Sequence, residues 1–203
     1  MRSPASALPP EFLRQVTRDE VNALPVGRYE GDVVMVESHD DFDLAWEDLA
    51  SEASVGWDTE TRPAFRVGES YPPSLVQAAT ARAVYIFPLA RMDFSQVVGG
   101  LFAEPSIVKA GISVADDLKK LKEVFHFEET SVLDLGHVAK RHGMKQTGLR
   151  NLAGVFLGVR ITKGAKTTNW AAPRLTAQQI SYAATDAWAC RELYLKFREL
   201  GLL

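Results

Sequence analysis

The chain has 203 residues, of which 46% are hydrophobic and 24% are charged, and its formal net charge is −3. This composition is typical of a globular protein with enough apolar material for a core, and it excludes collagen-like and disulfide-rich classes. No apolar run reaches the roughly 20 residues that a membrane-spanning helix needs. The first ten residues lack the hydrophobic segment of a secretion signal, and the single Cys190 cannot form an internal disulfide. We therefore expect a cytoplasmic protein with no membrane partner.

The pattern of apolar residues predicts an N-terminal arm followed by one domain. We expect residues 1–30 to be a partly disordered arm with short helices near Pro10–Thr17 and Arg18–Leu24, and residues 31–203 to be a single domain. Runs rich in β-branched and aromatic residues predict five strands, Gly31–Glu37, Val55–Thr59, Ser74–Ala79, Ala83–Phe87 and Ile107–Gly111.

Apolar residues at helical spacing predict helices at Asp40–Ser51, Phe94–Phe102, Val114–Val124, Asp134–His142 and Leu149–Leu157. Asp40 or Asp41 is expected to cap the first of them. A last helix opens with a capping-box pattern at Thr176–Gln179. Strands that precede helices in this way favour an α/β architecture, with a sheet of about five strands flanked by helices.

Two acids follow each other at strand spacing in Trp57-Asp58-Thr59-Glu60. Residues two apart on a strand point to the same face, so Asp58 and Glu60 are expected side by side, with Gly56 leaving room next to them. Two like charges at this distance favour a cation between them. The alternative is that both acids are ordinary exposed residues at a strand end.

The last helix carries a tyrosine and an aspartate one turn apart, Tyr182 and Asp186. Apolar residues of this helix form one stripe, and Tyr182 and Asp186 lie on its flank with adjacent side chains. Thr185 is expected on the side of the helix opposite this stripe. A carboxylate at a buried edge needs a partner, which is either a cation or a structural salt bridge.

A third acidic site is expected at the start of the helix Val114–Val124, where Asp116 and Asp117 are neighbours. Either carboxylate is suited to a helix N-terminus, so capping explains one of them. Asp117 lies closer than Asp116 to the apolar face of this helix. We therefore expect Asp117 to be the functional acid.

Positive charge is concentrated in the second half of the chain. Residues 135–185 contain eight lysines and arginines and no acidic residue. This segment is either a solvated basic face or a surface for a polyanion such as a nucleic-acid backbone.

Three segments together resemble the DEDD 3′–5′ exonucleases of the RNase H-like fold. They are Trp57-Asp58-Thr59-Glu60, the stretch Gly111–Leu121 with Asp117, and Tyr182-Ala-Ala-Thr-Asp186. The resemblance is to the tyrosine (DEDDy) branch, which includes Werner-type exonuclease domains and ribonuclease D. The histidine branch would have a histidine five residues before the last aspartate, where this chain has Ser181.

The resemblance implies a mixed α/β sheet and a metal-dependent nuclease that releases 5′-nucleoside monophosphates from a 3′ end of DNA or RNA. Asp58, Glu60, Asp117 and Asp186 are the implied ligands of two Mg²⁺ or Mn²⁺ ions. Tyr182 is the implied fifth catalytic residue, expected mainly to orient the attacking water.

Candidate contacts with nucleic acid lie around the acids and in the basic segment. They are Thr59, Lys119, Lys163, Lys166, Asn169 and Trp170. Lys119 stands where Werner-type domains have a tryptophan, and Trp170 is either a stacking residue or part of the core. Gln77 is expected to be a sheet residue, or alternatively a strand amide that contacts substrate. No feature indicates a protein partner.

Two other functions remain open from the sequence. One is a nucleic-acid-binding module on the same fold without catalysis, although all five motif positions are filled. The other is a metal-dependent phosphatase. Activity on an oligonucleotide compared with a free phosphomonoester separates these functions.

Overall fold

The computed structural model describes residues 8–162, 164–165 and 167–203, and it contains one mixed sheet of six strands in the order β1-β4-β3-β2-β5-β6. The central strand β2 runs antiparallel to β3 and parallel to β5. The strands are β1 (Asp32–Met35), β2 (Ser54–Thr61), β3 (Pro73–Ala79), β4 (Ala83–Pro88), β5 (Val108–Gly111) and β6 (Val132–Asp134).

Helices cover both faces of this sheet, as the α/β prediction expected. The helices are α1 (Pro10–Leu13), α2 (Arg18–Ala23), α3 (His39–Ser51), α4 (Ser95–Ala103), α5 (Ala115–Val124), α6 (Leu135–Arg141), α7 (Leu149–Leu152) and α8 (Ala177–Glu199). Helices α3, α4 and α5 share one apolar core with Trp57 and Phe102. Helices α6, α7 and α8 pack on the opposite face.

The prediction of about five strands missed β6, of which only Asp134 was assigned to an element, the start of a helix. Asp134 ends this strand and also caps α6, since its Oδ1 accepts hydrogen bonds from the backbone N–H groups of Gly136 (2.8 Å) and His137 (3.2 Å). A strand this short has too few residues to show an alternating pattern.

Two predicted helices differ in detail from the structure. Helix α3 is capped by Ser38 and not by Asp40 or Asp41, and the carboxylate of Asp41 completes a capping box with Ser38. The predicted helix Leu149–Leu157 is α-helical only to Leu152 and continues as a π-helical turn, Ala153–Leu157. Gly158, in the left-handed conformation at φ 66°, ends this turn.

Helix α8 lies unusually close to β2 at Gly56. A Cβ atom at this position would lie 2.1 Å from the carbonyl oxygen of Ala187 and 2.4 Å from the backbone nitrogen of Arg191. Only glycine allows the helix backbone to approach the strand this closely. The contact fixes the depth at which α8 sits against the sheet, two residues before Asp58.

The described part of the arm packs against the domain. Val26 forms a β-bridge with Arg160, and the backbone N–H of Tyr29 donates to Oγ1 of Thr185 at 3.1 Å. Thr185 is therefore only 5% exposed, although it lies on the side of α8 opposite the apolar stripe. The division of the chain at residue 30 stays a prediction. Among the described helices, none combines the length and hydrophobicity that crossing a membrane requires.

Candidate active site

Three carboxylates converge where β2 faces α8. Asp58 and Glu60 come from the same face of β2, and Asp186 comes from α8 across the close contact at Gly56. Each offers an oxygen atom, and these oxygens all lie within 4.8 Å of one another. Glu60 is 8% exposed and Asp186 is 5% exposed, so this negative charge is held largely out of water. The alternation of side chains along β2 and the contact of α8 with Gly56 thus bring together acids that are far apart in the sequence.

The phenol of Tyr182 lies beside these three acids, one turn before Asp186 on α8. Its pKa is raised far above the usual value, first by burial and then by the negative charges of Asp186, Glu60 and Asp58. The phenol therefore stays protonated at neutral pH and can donate a hydrogen bond. Its ring packs against Trp170, with the ring centroids 5.9 Å apart.

The N-terminus of α8 holds Trp170 in this position. Gln179 completes the capping box with Thr176, and its side-chain Nε2 donates to Oγ1 of Thr168 at 3.0 Å and to the carbonyl of Asn169 at 3.2 Å. The segment before the helix is thereby tied to the first turn. Trp170 is 1% exposed as a result, so it offers no surface to a base in this structure.

Asp117 lies near the three acids but outside their group. It projects from the first turn of α5 into the same 580 Å³ cavity, which also contains Asp58, Glu60 and Asp186. Its Oδ1 accepts a 2.6 Å hydrogen bond from Oγ1 of Thr59. Burial raises the pKa of Asp117, and the hydrogen bond from Thr59 opposes this rise. Its neighbour Asp116 is exposed.

The structure assigns a supporting contact to Thr59 that the sequence did not indicate. Thr59 was a candidate for binding nucleic acid, and it is 8% exposed and bonded to Asp117. A Thr between two acids on a strand has no sequence signal for such a contact, because its partner lies on another element.

Two arginines on the walls of the site were not singled out from the sequence. Arg150 lines the cavity of the acids, where its Nε donates to the carbonyl of Ile161 at 2.7 Å. Arg28, from the arm, lines an adjoining cavity of 480 Å³ that shares Tyr182 and Asp186 with the first. Both guanidinium groups are available to a negatively charged ligand. The sequence does not show that Arg28 is near the acids, because its position depends on the packing of the arm.

The remaining candidates for nucleic-acid contacts have different surroundings. Lys119 is exposed on α5, and Asn169 is exposed with its Oδ1 accepting from the backbone N–H of Ala171 at 3.1 Å. Lys163 and Lys166 lie outside the described residues. Cys190 lines the cavity of the acids but is 2% exposed, and burial raises the pKa of its thiol.

The chemistry of the three-acid group fits a hard divalent cation. Mg²⁺ and Mn²⁺ are bound by carboxylate oxygens, and Asp58, Glu60 and Asp186 supply three of them from rigid elements. No histidine belongs to the group of ligands found among the described residues, which argues against a zinc-type site.

Comparisons with known proteins find similarity to exonucleases. A family model described as 3′–5′ exonuclease matches residues 33–201. Ribonuclease D of Haemophilus influenzae is 34% identical over 145 residues, which are 70% of this chain and 35% of that protein. The bifunctional 3′–5′ exonuclease/ATP-dependent helicase WRN of Mus musculus is 30% identical over 188 residues, 88% of this chain and 13% of that protein. The chain therefore spans about a third or less of the length of these relatives.

The fold is likewise that of a solved exonuclease domain. The EXO domain of Aedes aegypti Nibbler superimposes with a TM-score of 0.75 at 21% identity, covering 86% of this chain and 92% of that one. This likeness confirms the RNase H-like fold class.

We predict that Thr59→Val raises the pKa of Asp117 further, because the hydroxyl hydrogen bond stabilises the ionised carboxylate. The variant should also lose about 1 kcal/mol of stability at pH 7, and this loss should vanish at a pH low enough to protonate Asp117. A carboxyl ¹³C NMR titration and urea unfolding, both in metal-free buffer, measure these effects. Thr59→Ser keeps the hydroxyl and is the control. An unchanged Asp117 pKa in Thr59→Val would contradict the role given to this hydrogen bond.

Proposed function

Because the chain belongs to the ribonuclease D-like, tyrosine-containing branch of the 3′–5′ exonuclease family, we propose that it releases 5′-nucleoside monophosphates from the 3′ end of a nucleic acid by two-metal-ion hydrolysis. The observation that carries this proposal is the convergence of Asp58, Glu60 and Asp186 within 4.8 Å, in a cavity that Tyr182 also lines. A binding module without catalysis has no need to hold three acids together, two of them buried.

Asp58, Glu60 and Asp186 would hold one divalent cation, and Asp58 and Asp117 would hold a second. Two such cations supply an activated water and stabilise the negative charge on the leaving 3′ oxygen. The residues of the chain do the remaining work. The two acids on β2 and the one on α8 keep fixed positions because both elements are packed in the core, so little reorganisation is needed when substrate arrives.

Tyr182 is proposed to orient the attacking water. Burial and three nearby acids raise the pKa of its phenol, which favours donation of a hydrogen bond over abstraction of a proton. Its ring is held between Trp170 and the acids, which limits the positions that its hydroxyl can take.

The substrate is proposed to be a nucleic acid with a free 3′ end. The relatives include a ribonuclease and an exonuclease joined to a helicase, so digestion of matched RNA, single-stranded DNA and recessed-duplex ends decides which polymer is preferred. Lys119, Lys163, Lys166 and Asn169 are proposed to contact it, together with Arg150, which lines the cavity.

We predict that Asp186→Asn and Asp117→Ala each slow Mg²⁺-dependent shortening of a 5′-labelled oligonucleotide by more than ~100-fold, since losing a partner of a metal ligand already costs 10–100-fold. Asp116→Ala removes the same charge one residue away and is expected to keep near-native activity. Chromatography of the products should show 5′-monophosphates, and a phosphomonoester should not be hydrolysed. Near-native activity in Asp186→Asn would show that the site is wrong.

We predict that Tyr182→Phe lowers kcat by about 100-fold. This is the lower end of the rate contribution that a positioned proton donor or acceptor typically makes. The affinity for Mn²⁺, followed by electron paramagnetic resonance, should stay within about twofold, because the phenylalanine ring keeps the contact with Trp170 and every carboxylate remains. A large loss of Mn²⁺ affinity would instead make Tyr182 a structural support of the acids.

We predict that the proposed basic contacts appear in the salt dependence of binding. In an Asp58→Asn background, Lys163→Ala and Lys166→Ala should each reduce the slope of log K against log[salt] by roughly 0.7–1 for an oligonucleotide. Lys196→Ala is the matched control, since this lysine lies near the end of α8 and pairs with Glu199 at 2.9 Å. Slopes equal to that of the Asp58→Asn parent in all three variants would favour the interpretation of the basic segment as a solvated face.

A further inference from the structure

Gln77 is a fully buried amide next to the acids, and neither polar atom of its side chain has a hydrogen-bond partner among the described residues. It is 0% exposed, and both Nε2 and Oε1 are without a partner. A buried polar group that makes no hydrogen bond loses its hydration without compensation, and such groups are rare in folded proteins. Gln77 therefore requires an explanation beyond packing.

The register of the sheet places this amide against one of the proposed metal ligands. Gln77 on β3 lies directly opposite Asp58 on β2 in the antiparallel ladder. Residues directly opposite each other have Cβ atoms about 4.5–5.5 Å apart and point to the same face. The side chain of a glutamine is long enough to bring its amide to the carboxylate of Asp58 from that position.

The surroundings of Gln77 on its face of the sheet are apolar and closed to solvent. The same-face neighbours on β3, Leu75 and Ala79, belong to an apolar cluster with Ala183 and Ala187 of α8. Gln77 is 0% exposed, so the expected alternative that it contacts substrate is not available in this structure. Within this apolar layer, Asp58 on the neighbouring strand β2 is the residue to which the amide of Gln77 can donate.

We propose that Gln77 is a positioning residue for Asp58, whose carboxylate accepts a hydrogen bond from the Gln77 amide when a divalent cation is bound. Carboxylates that hold metal ions are themselves hydrogen-bonded by an outer shell of groups, which fixes their orientation. The amide without a partner is then a donor held ready in the metal-free protein. This inference rests on the proposed function, because it takes Asp58 as a metal ligand.

The test compares Gln77→Met, which keeps the length of the side chain and removes both polar atoms, with Leu75→Met. Leu75 lies on the same face two residues away, opposite Glu60, and is 2% exposed, so it controls for a change of packing. Three quantities are measured in each variant: the urea midpoint without metal, the Mn²⁺ dissociation constant without nucleic acid, and kcat and KM on an oligonucleotide.

We expect Gln77→Met to raise the urea midpoint of the metal-free protein while weakening Mn²⁺ binding by 10–100-fold and lowering kcat more than KM. Leu75→Met should leave the Mn²⁺ affinity unchanged. A lower urea midpoint in Gln77→Met, together with wild-type Mn²⁺ affinity, would make Gln77 a structural residue and overturn the proposal.

The same measurements separate this inference from the proposed function. A wild-type protein that binds Mn²⁺ but shortens no oligonucleotide would reject the nuclease proposal, while the change in Mn²⁺ affinity would still report on Gln77. A wild-type protein that shortens oligonucleotides, with equal Mn²⁺ affinity in Gln77→Met, would reject the role of Gln77 and leave the nuclease proposal standing.

Discussion

The close contact between helix α8 and strand β2 at Gly56 is the constraint on which the site depends. Without a Cβ at this position, the backbone of α8 reaches within van der Waals distance of the strand. That approach sets Asp186 against Asp58 and Glu60, and it carries Tyr182 to the same place one turn earlier. The hydrophobic layers on both sides of the sheet then hold this arrangement, since a buried helix cannot shift without opening a cavity.

The charges of the chain are arranged around this contact. The acids lie close together between the sheet and α8. The arginines at the rim of this site come from other elements, Arg150 from α7 and Arg28 from the arm. Without bound cations, the acids repel a nucleic-acid strand, whereas the arginines at the rim attract it. Two bound divalent cations would cancel the charges of the four carboxylates at the centre, so the affinity for nucleic acid is expected to depend on the metal as well as on the basic residues.

Much of the site could be predicted from local rules, because each rule concerns neighbours on one element. Strand parity places Asp58 and Glu60 together, and helical spacing places Tyr182 next to Asp186. The contacts that could not be predicted join elements that are distant in the sequence. They are the hydrogen bond from Thr59 to Asp117, the burial of Thr185 under the arm, and the sheet register that sets Gln77 opposite Asp58. The short strand β6 and the π-helical turn were missed because neither is long enough to show its own period.

The bridge between Val26 and Arg160 and the hydrogen bond from Tyr29 to Thr185 bear on where the folding unit begins. The family model matches from residue 33, and these two contacts reach α8 and the segment after the π-helical turn from residues before that point. The packed unit therefore extends further towards the N-terminus than the region that the family model matches.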